Sequence, residues 1–345
     1  MNGIIKWGII GLGNIAHKFA KSFYNIKNAK LIAIASKTQN KLLKFKDEFN
    51  INSNNCYDEY EKLLKNNEVD IIYIALPNNL HCEWIYRSIE LNKHILVEKP
   101  AFINFKDAQK TLSHHNLNNF FLGEGFMFRY HPQILKTIEL IKSNEIGNII
   151  SMETVFGKNL ITKKKFFGFF KSQKFDTNKR IFNKSLGGGV ILDHGSYTVS
   201  MSLLIASLIE GMDIKNFKLS IDNKKHMIED IDVESSIELS FDNKFKSKMT
   251  ASFLNDIGNQ TIINGKNGKI IISNTWNSDG GEIYLEGKEK KLFKVENKKS
   301  IYSLEIERIS DDILNNRIEA SYPGTKKNEI LISCQILDKW LNGQE

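Results

Sequence analysis

From Lys6 to about Phe128, short apolar runs alternate with amphipathic stretches. Trp7–Ile10, Leu31–Ala35, Ile71–Leu76, His94–Val97 and Phe120–Leu122 are largely apolar at consecutive positions. That is the pattern of strands covered on both faces of a parallel sheet. Between two of them, Asn79–Asn92 sets Leu80, Trp84, Ile85 and Ile89 at helical spacing. The β-α alternation predicts a doubly wound α/β sheet.

Beyond Gly123 the texture changes. Pro132–Ser143 reads as a helix, and Ile149–Phe156, Glu234–Phe241, Lys246–Asn255, Gln260–Asn264 and Lys269–Ser273 read as strands. Ser236–Phe241 alternates polar and apolar residues, which suits an antiparallel sheet with one packed face and one open face. Gly187–Ile209 is a glycine-rich entry into a helix, and Ser300–Arg317 and Asn328–Leu341 are helical. The pattern divides the chain into residues 1–123, an α/β domain, and residues 124–345, an α+β domain on a mostly antiparallel, open-faced sheet. At 345 residues the chain is also long for one compact core, so two domains are expected.

Charge changes this picture little. The net charge is +8, yet the lysines are spread along the chain among many asparagines, a compositional bias and not a nucleic-acid footprint. The densest cluster, Lys163–Lys165 beside Phe166, Phe167, Phe169 and Phe170, lies in the Lys/Phe-rich 162–175 stretch and reads as a solvated loop. No zinc-finger, helix-turn-helix or RNP pattern accompanies it, so no nucleic-acid partner is expected. Cys56, Cys82 and Cys334 lie far apart with no C-x-x-C pair, against a disulfide framework or a metal site. The first residues run straight into a strand, and no apolar run is long enough to span a bilayer. The expectation is a cytoplasmic protein with no membrane partner.

The first strand enters Gly11-Leu12-Gly13-Asn14-Ile15-Ala16 and then a helix. This is the G-x-G-x-x-A form of the dinucleotide fingerprint. Gly11 permits the tight turn, Gly13 admits a pyrophosphate to the backbone, and Ala16 lets helix and strand pack closely. The helix N-terminus supplies N–H donors and a favourable dipole. The second strand ends Ala35-Ser36-Lys37 with no carboxylate to bond a ribose 2′-hydroxyl, whereas Ser36 and Lys37 suit a 2′-phosphate. NADP(H) is therefore expected over NAD(H).

Further motifs follow in order: Tyr73-Ile74-Ala75-Leu76-Pro77-Asn78-Asn79-Leu80-His81, Lys93–Pro100 with Glu98-Lys99-Pro100, Glu124–Pro132, Arg180–Asn183, and Leu186–Tyr197 ending Asp193-His194-Gly195-Ser196-Tyr197. With these the chain resembles the glucose–fructose oxidoreductase/inositol dehydrogenase superfamily, Gfo/Idh/MocA, over nearly its whole length. The Gly-x-Tyr ending resembles the branch with dihydrodiol dehydrogenase and D-xylose 1-dehydrogenase. The resemblance implies a Rossmann domain, a C-terminal substrate domain and a homodimer or higher oligomer formed through the open sheet. It also implies hydride transfer between NADP(H) and a hydroxyl-bearing carbon of a sugar, polyol or diol, foremost aldose C1 to lactone. A non-catalytic sensor, a glycosidase that transiently oxidises its sugar, and a keto-sugar or imine reductase are the alternatives on the same layout.

By resemblance, Lys99 touches substrate and the nicotinamide ribose, and Tyr197 faces it from the second domain. The chemistry fits: a tyrosine titrates near roughly pH 10, and a lysine ammonium beside it favours the phenolate. Asp193, four residues before Tyr197, is expected one helical turn away, orienting substrate or tuning Lys99, or else capping the helix near Gly195. Leu76, Asn78, His81 and Glu98 join Gly11, Gly13, Asn14, Ile15, Ala16, Ser36, Lys37 and Lys99 around the cofactor; His81 could instead satisfy its own helix. Arg129 and Arg180 are expected at substrate or an interface, with a structural ion pair as the other reading of Arg129. A cis peptide before Pro100 is frequent in the family.

Overall fold

A computed structural model of the chain describes residues 3–164, 170–172, 176, 178–228, 230–276 and 280–344. It forms two compact units: residues 1–130 with 298–331, and residues 131–297 with 332–345. The expected division at 123/124 assigned residues 298–331 to the second domain. Hydrophobic periodicity shows that a helix has an apolar stripe but not which sheet that stripe covers, and the Ile301–Leu314 helix covers the first sheet.

The first unit holds β1 (Ile5–Ile10), α1 (Asn14–Lys21), β2 (Ala29–Ala35), α2 (Gln39–Glu48), β3 (Cys56–Tyr57), α3 (Tyr60–Leu64), β4 (Ile71–Ile74), α4 (His81–Glu90), β5 (His94–Glu98), α5 (Phe105–Leu112) and β6 (Leu122–Gly125). The strands pair in parallel in the order β3-β2-β1-β4-β5-β6. The chain reverses its direction of winding between β1 and β4, so the loops after these two strands diverge and leave a crevice at their carboxyl ends. Every residue of β4 is buried, which explains its unbroken apolar run.

On one face, Phe19 of α1 stacks on Tyr73 of β4 at 3.7 Å between ring centroids. The Ile301–Leu314 helix brings Tyr302, Ile306, Ile309 and Ile313 into the same core as Trp7 and Phe19. Trp7 Nε1 donates to Ser310 Oγ at 3.1 Å, so this large ring is buried without an orphaned donor.

The second unit holds α6 (Pro132–Lys142), β7 (Ile149–Gly157), β8 (Thr162–Lys164), β9 (Phe170–Ser172), α7 (Ser196–Ala206), β10 (Phe217–Ile228), β11 (Ile231–Phe241), β12 (Phe245–Ser252), β13 (Thr261–Gly265), β14 (Gly268–Ile272), β15 (Gly280–Glu286) and β16 (Lys290–Glu296). Its main sheet runs β10-β11-β12-β7-β13-β14-β15-β16, antiparallel except where β12 meets β7. The α/β plus open-sheet α+β architecture is the one expected. Strands β10, β15 and β16 lie outside the predicted runs; β16 is an edge strand whose residues are mostly exposed, and charged edges blur the apolar signal. The strand pairing aligns Leu292, Tyr284, Ile271 and Ile262 in one row, with Tyr284 39% and Leu292 46% exposed. The β8–β9 hairpin brackets the Lys/Phe-rich stretch, whose Lys165–Phe169 core lies outside the described residues.

Candidate functional site

In the first unit the fingerprint loop leaves β1 at Gly11, whose φ of +88° belongs to the left-handed region. A Cβ there would lie 2.6 Å from the Ala75 carbonyl oxygen, so the turn and its contact with the end of β4 both require glycine. Gly13 differs. A Cβ on it would meet nothing within 4 Å, and as N-cap of α1 it places no side chain over the helix end. The first-turn amides of Asn14, Ile15 and Ala16 have no acceptor within the helix, and with no side chain on Gly13 this helix start fits a pyrophosphate. Ala16 and Phe19 bury the other side of the helix.

At the end of β2, Ser36 is 4% exposed and its hydroxyl oxygen accepts the Thr38 amide at 3.1 Å. Lys37 is exposed, with Nζ 5.6 Å from the centroid of the Tyr60 ring, within cation–π range. Ser36 uses its oxygen and not its O–H in this bond, and Lys37 stands at the surface beside it.

After β4, Leu76 packs under Gly11, and Asn78 and His81 are buried. His81 Nδ1 lies 2.8 Å from the Pro100 carbonyl oxygen and Nε2 lies 2.8 Å from that of Leu76. Both neighbours are acceptors: a neutral ring donates to one, an imidazolium to both. His81 thus ties the loop after β4 to the turn after β5, a role broader than satisfying its own helix.

That turn carries Glu98, Lys99 and Pro100, and the Lys99–Pro100 peptide is cis. The Glu98 carboxylate accepts the Tyr73 hydroxyl, at the edge of a buried acidic cluster with Tyr302 and Glu305. Burial, reinforced by the charge of Glu98, holds the Tyr73 hydroxyl well above its usual range and does the same to the Glu305 carboxyl. Lys99 is half-buried.

Across from this turn stands Glu124, at the carboxyl end of the neighbouring strand. Its strand was expected to end at Leu122, whereas β6 runs to Gly125 and pairs Val97 with Glu124 and Glu98 with Gly125. A charged residue at the carboxyl end of a buried strand beside Glu98-Lys99-Pro100 was the available signal. Glu124 Oε1 accepts the Ala101 amide at 2.8 Å. Burial pushes its carboxyl up to about 7, against the lowering effect of the Ala101 bond and the Arg129 charge.

Arg129 does not sit at an open substrate surface. It is 1% exposed, donates to the Pro323 carbonyl at 3.2 Å through Nη1, and is paired through Nη2 with Glu329. The structural ion pair, one of the two readings of Arg129, is present in the fold. A guanidinium in an aromatic-rich run gives no sign in sequence of a carboxylate 200 residues away.

In the second unit, Asp193 and Tyr197 flank the junction of a π-helical turn, Ile191–Gly195, with α7. The expected single α-helical turn between them is therefore a wider turn, of the kind often found at functional sites. Asp232 of β11 accepts the Ile191 amide at 2.7 Å and so covers the start of this turn. Asp193 Oδ1 accepts from Arg180 Nη2 at 2.8 Å, with the pair 16% and 32% exposed. Two residues read separately as substrate contacts are thus one ion pair. Tyr197 is half-buried in an aromatic wall, edge-on to Phe156 at 5.5 Å and tilted against Trp276 at 5.7 Å. Phe156 also stacks on His194 at 3.8 Å. None of Phe156, His194 and Trp276 was singled out from sequence, because aromatic residues far apart along the chain meet only through sheet pairing.

Among the described residues there is no group of three or more His, Cys, Asp or Glu that could hold a metal, and no helix is long and apolar enough to cross a membrane.

Comparison with known proteins agrees with this geometry. The oxidoreductase family with an NAD-binding Rossmann fold, GFO/IDH/MocA, matches residues 5–125, and the C-terminal domain of the same family matches residues 134–271. The chain is 26% identical to trans-1,2-dihydrobenzene-1,2-diol dehydrogenase of Xenopus tropicalis over 83% of this chain and 80% of that protein. It is 26% identical to D-xylose 1-dehydrogenase (NADP(+)) 2 of Haloferax volcanii over 72% of this chain and 70% of that one. The match to another curated relative spans only 56% of that protein's length. Among solved structures, a 3-ketoreductase from Actinomadura kijaniata in complex with NADP and TDP-benzene superposes with a TM-score of 0.79 at 21% identity, over 99% of this chain and 98% of that one. The chain belongs to the GFO/IDH/MocA family of NAD(P)-dependent oxidoreductases.

Proposed function

We propose that the protein transfers hydride between NADP(H) and a hydroxyl-bearing carbon of a sugar, cyclic polyol or diol, with an aldose oxidised at C1 to the lactone as the leading reaction. The observation that carries this reading is Lys99, half-buried on the turn after β5, on the same carboxyl edge as the open Gly13 cradle. Doubly wound sheets bind their ligands along that edge. Bound there, the nicotinamide supplies the hydride chemistry.

The chain's own residues supply the rest. The amides of Asn14, Ile15 and Ala16 bind the pyrophosphate, while Ser36 and Lys37 take the 2′-phosphate, which favours NADP(H). Leu76, Asn78, His81 and Glu98 shape the crevice. Tyr197 exchanges the proton of the substrate hydroxyl, and Lys99 binds substrate and the nicotinamide ribose. Asp193, fixed by Arg180, orients the substrate. The dihydrodiol and D-xylose relatives support a diol or sugar substrate, and the exposed row through Tyr284 and Leu292 supports a homodimer joined through the open sheet.

Absorbance at 340 nm with NADP and a panel of aldoses, polyols and diols tests the reading. Lys99→Met and Tyr197→Phe should each cut turnover by at least about 100-fold, the range of lost general acid–base catalysis. Undiminished activity in both variants would remove the mechanism. Tight cofactor binding without turnover would make the protein a sensor, and hydrolysis without net redox change a glycosidase.

A further inference from the structure

Two backbone polar groups of the Lys99–Pro100–Ala101 turn are each held by a buried side chain. Pro100 O faces His81, and Ala101 N–H donates to Glu124 Oε1. The two clamps differ in kind. The His81 ring nitrogens face the carbonyls of Pro100 and Leu76, whereas Glu124, 6% exposed, brings a carboxyl group beside the turn. Its other oxygen, Oε2, is buried and has no hydrogen-bond partner among the described residues.

We propose that Glu124 is a positioning residue for Lys99: Oε1 anchors the turn through Ala101, and the charge on the carboxyl sets the field in which the lysine works. This rests on the reading of Lys99 given above. The charged groups around Glu124 are Arg129 and Lys99, which favour its carboxylate, and Glu329, which opposes it. Arg129 and Glu329 are paired with one another, and Lys99 stands two residues before the Ala101 amide that Glu124 holds. Burial opposes ionisation and brings the carboxyl to about 7, so its charge changes across the range in which the enzyme would work.

Anchor and charge separate by substitution. Glu124→Gln keeps a carbonyl oxygen for the Ala101 amide but cannot ionise, and Glu124→Leu removes both. The first measurement needs no cofactor or substrate: the side-chain carboxyl resonances of 13C-glutamate-labelled protein are followed from pH 4 to 9. One resonance should titrate near about 7, vanish in Glu124→Gln, and move to higher pH in Lys99→Met, because an opposing cation is gone. An unmoved midpoint in Lys99→Met would overturn the coupling.

The second measurement is the pH dependence of kcat with saturating NADP and the best substrate of the panel. Glu124→Gln should lose the inflection near pH 7 while its KM for cofactor stays within about twofold. Glu124→Leu should lose about 10- to 100-fold in kcat at every pH, as misplaced catalytic groups do. A Glu124→Gln profile that superimposes on that of the unsubstituted protein overturns the proposal, and so does equal kcat in the Gln and Leu variants. If Glu124→Leu does not fold, the Gln profile and the carbon resonances decide. Full turnover in Lys99→Met would instead refute the assignment of Lys99, whatever Glu124 does.

Discussion

Glu124 also makes a prediction about stability that is independent of catalysis. Its carboxyl rises from 4.5 to about 7 in the folded protein, chiefly because burial penalises the charge. A raised carboxyl favours the folded state below pH 4.5, where it is protonated in both states. That advantage is lost as the pH climbs through 7, because the unfolded chain releases the proton first. A displacement of this size corresponds to about 3.4 kcal/mol. The loss grows from under about 1 kcal/mol at pH 5 to about 3 kcal/mol at pH 8. Glu124→Gln does not titrate. Its amide N–H₂ replaces the unpartnered Oε2 and adds an unmet donor, a penalty of roughly 1–3 kcal/mol that is the same at every pH. The two proteins therefore differ at any one pH for two reasons, but only ionisation changes the difference with pH. Thermal melts at pH 5 and 8 should show the Gln variant gaining about 5–10 °C on the parent between the two, at about 2–4 °C per kcal/mol for a domain of roughly 150–250 residues. A melting difference that stays constant across this range would refute the argument that Glu124 resists ionisation where it stands.

Arg129→Leu should destabilise the first unit by about 3–5 kcal/mol by leaving Glu329 buried and unpaired, and Arg129→Leu/Glu329→Leu should recover most of the loss, as denaturant melts would show. Gly11→Ala should lower the melting temperature as well as NADPH affinity, because its Cβ meets the Ala75 carbonyl, whereas Gly13→Ala should weaken NADPH binding with the fold intact. Titration of NADPH fluorescence alongside thermal melts separates the two. Lys37→Ala should reduce the preference for NADP over NAD by about 10-fold or more in kcat/KM, the scale of one charge-assisted hydrogen bond. Light scattering tests the proposed homodimer: a dimer mass is expected for the parent and a monomer mass for Tyr284→Lys, which places a charge in the exposed apolar row.

The parts of this structure legible in the sequence are those where local chemistry alone decides. Gly11 is demanded by a positive φ and a carbonyl at 2.6 Å, and the apolar run of β4 by burial on every side, so turn and strand are both visible along the chain. What was not legible depends on partners distant in sequence. Arg129 acquires its meaning from Glu329, and Asp193 from Arg180 on the far side of a glycine-rich loop. The Ile301–Leu314 helix has the same periodicity whichever sheet it covers, and only Trp7 and Phe19 decide the matter. Glu124 was hidden by a strand end misplaced by three residues. With β6 ending at Leu122 the carboxylate falls in a loop; with β6 extended to Gly125, parallel pairing brings it opposite Val97 and within reach of Ala101. Strand ends are weakly encoded, because the last residues gain little from further burial, yet in a doubly wound sheet those same ends carry the chemistry. The carboxyl ends of β5 and β6 are therefore where reading the sequence is least secure and where substitution at Glu124 and Lys99 is most informative.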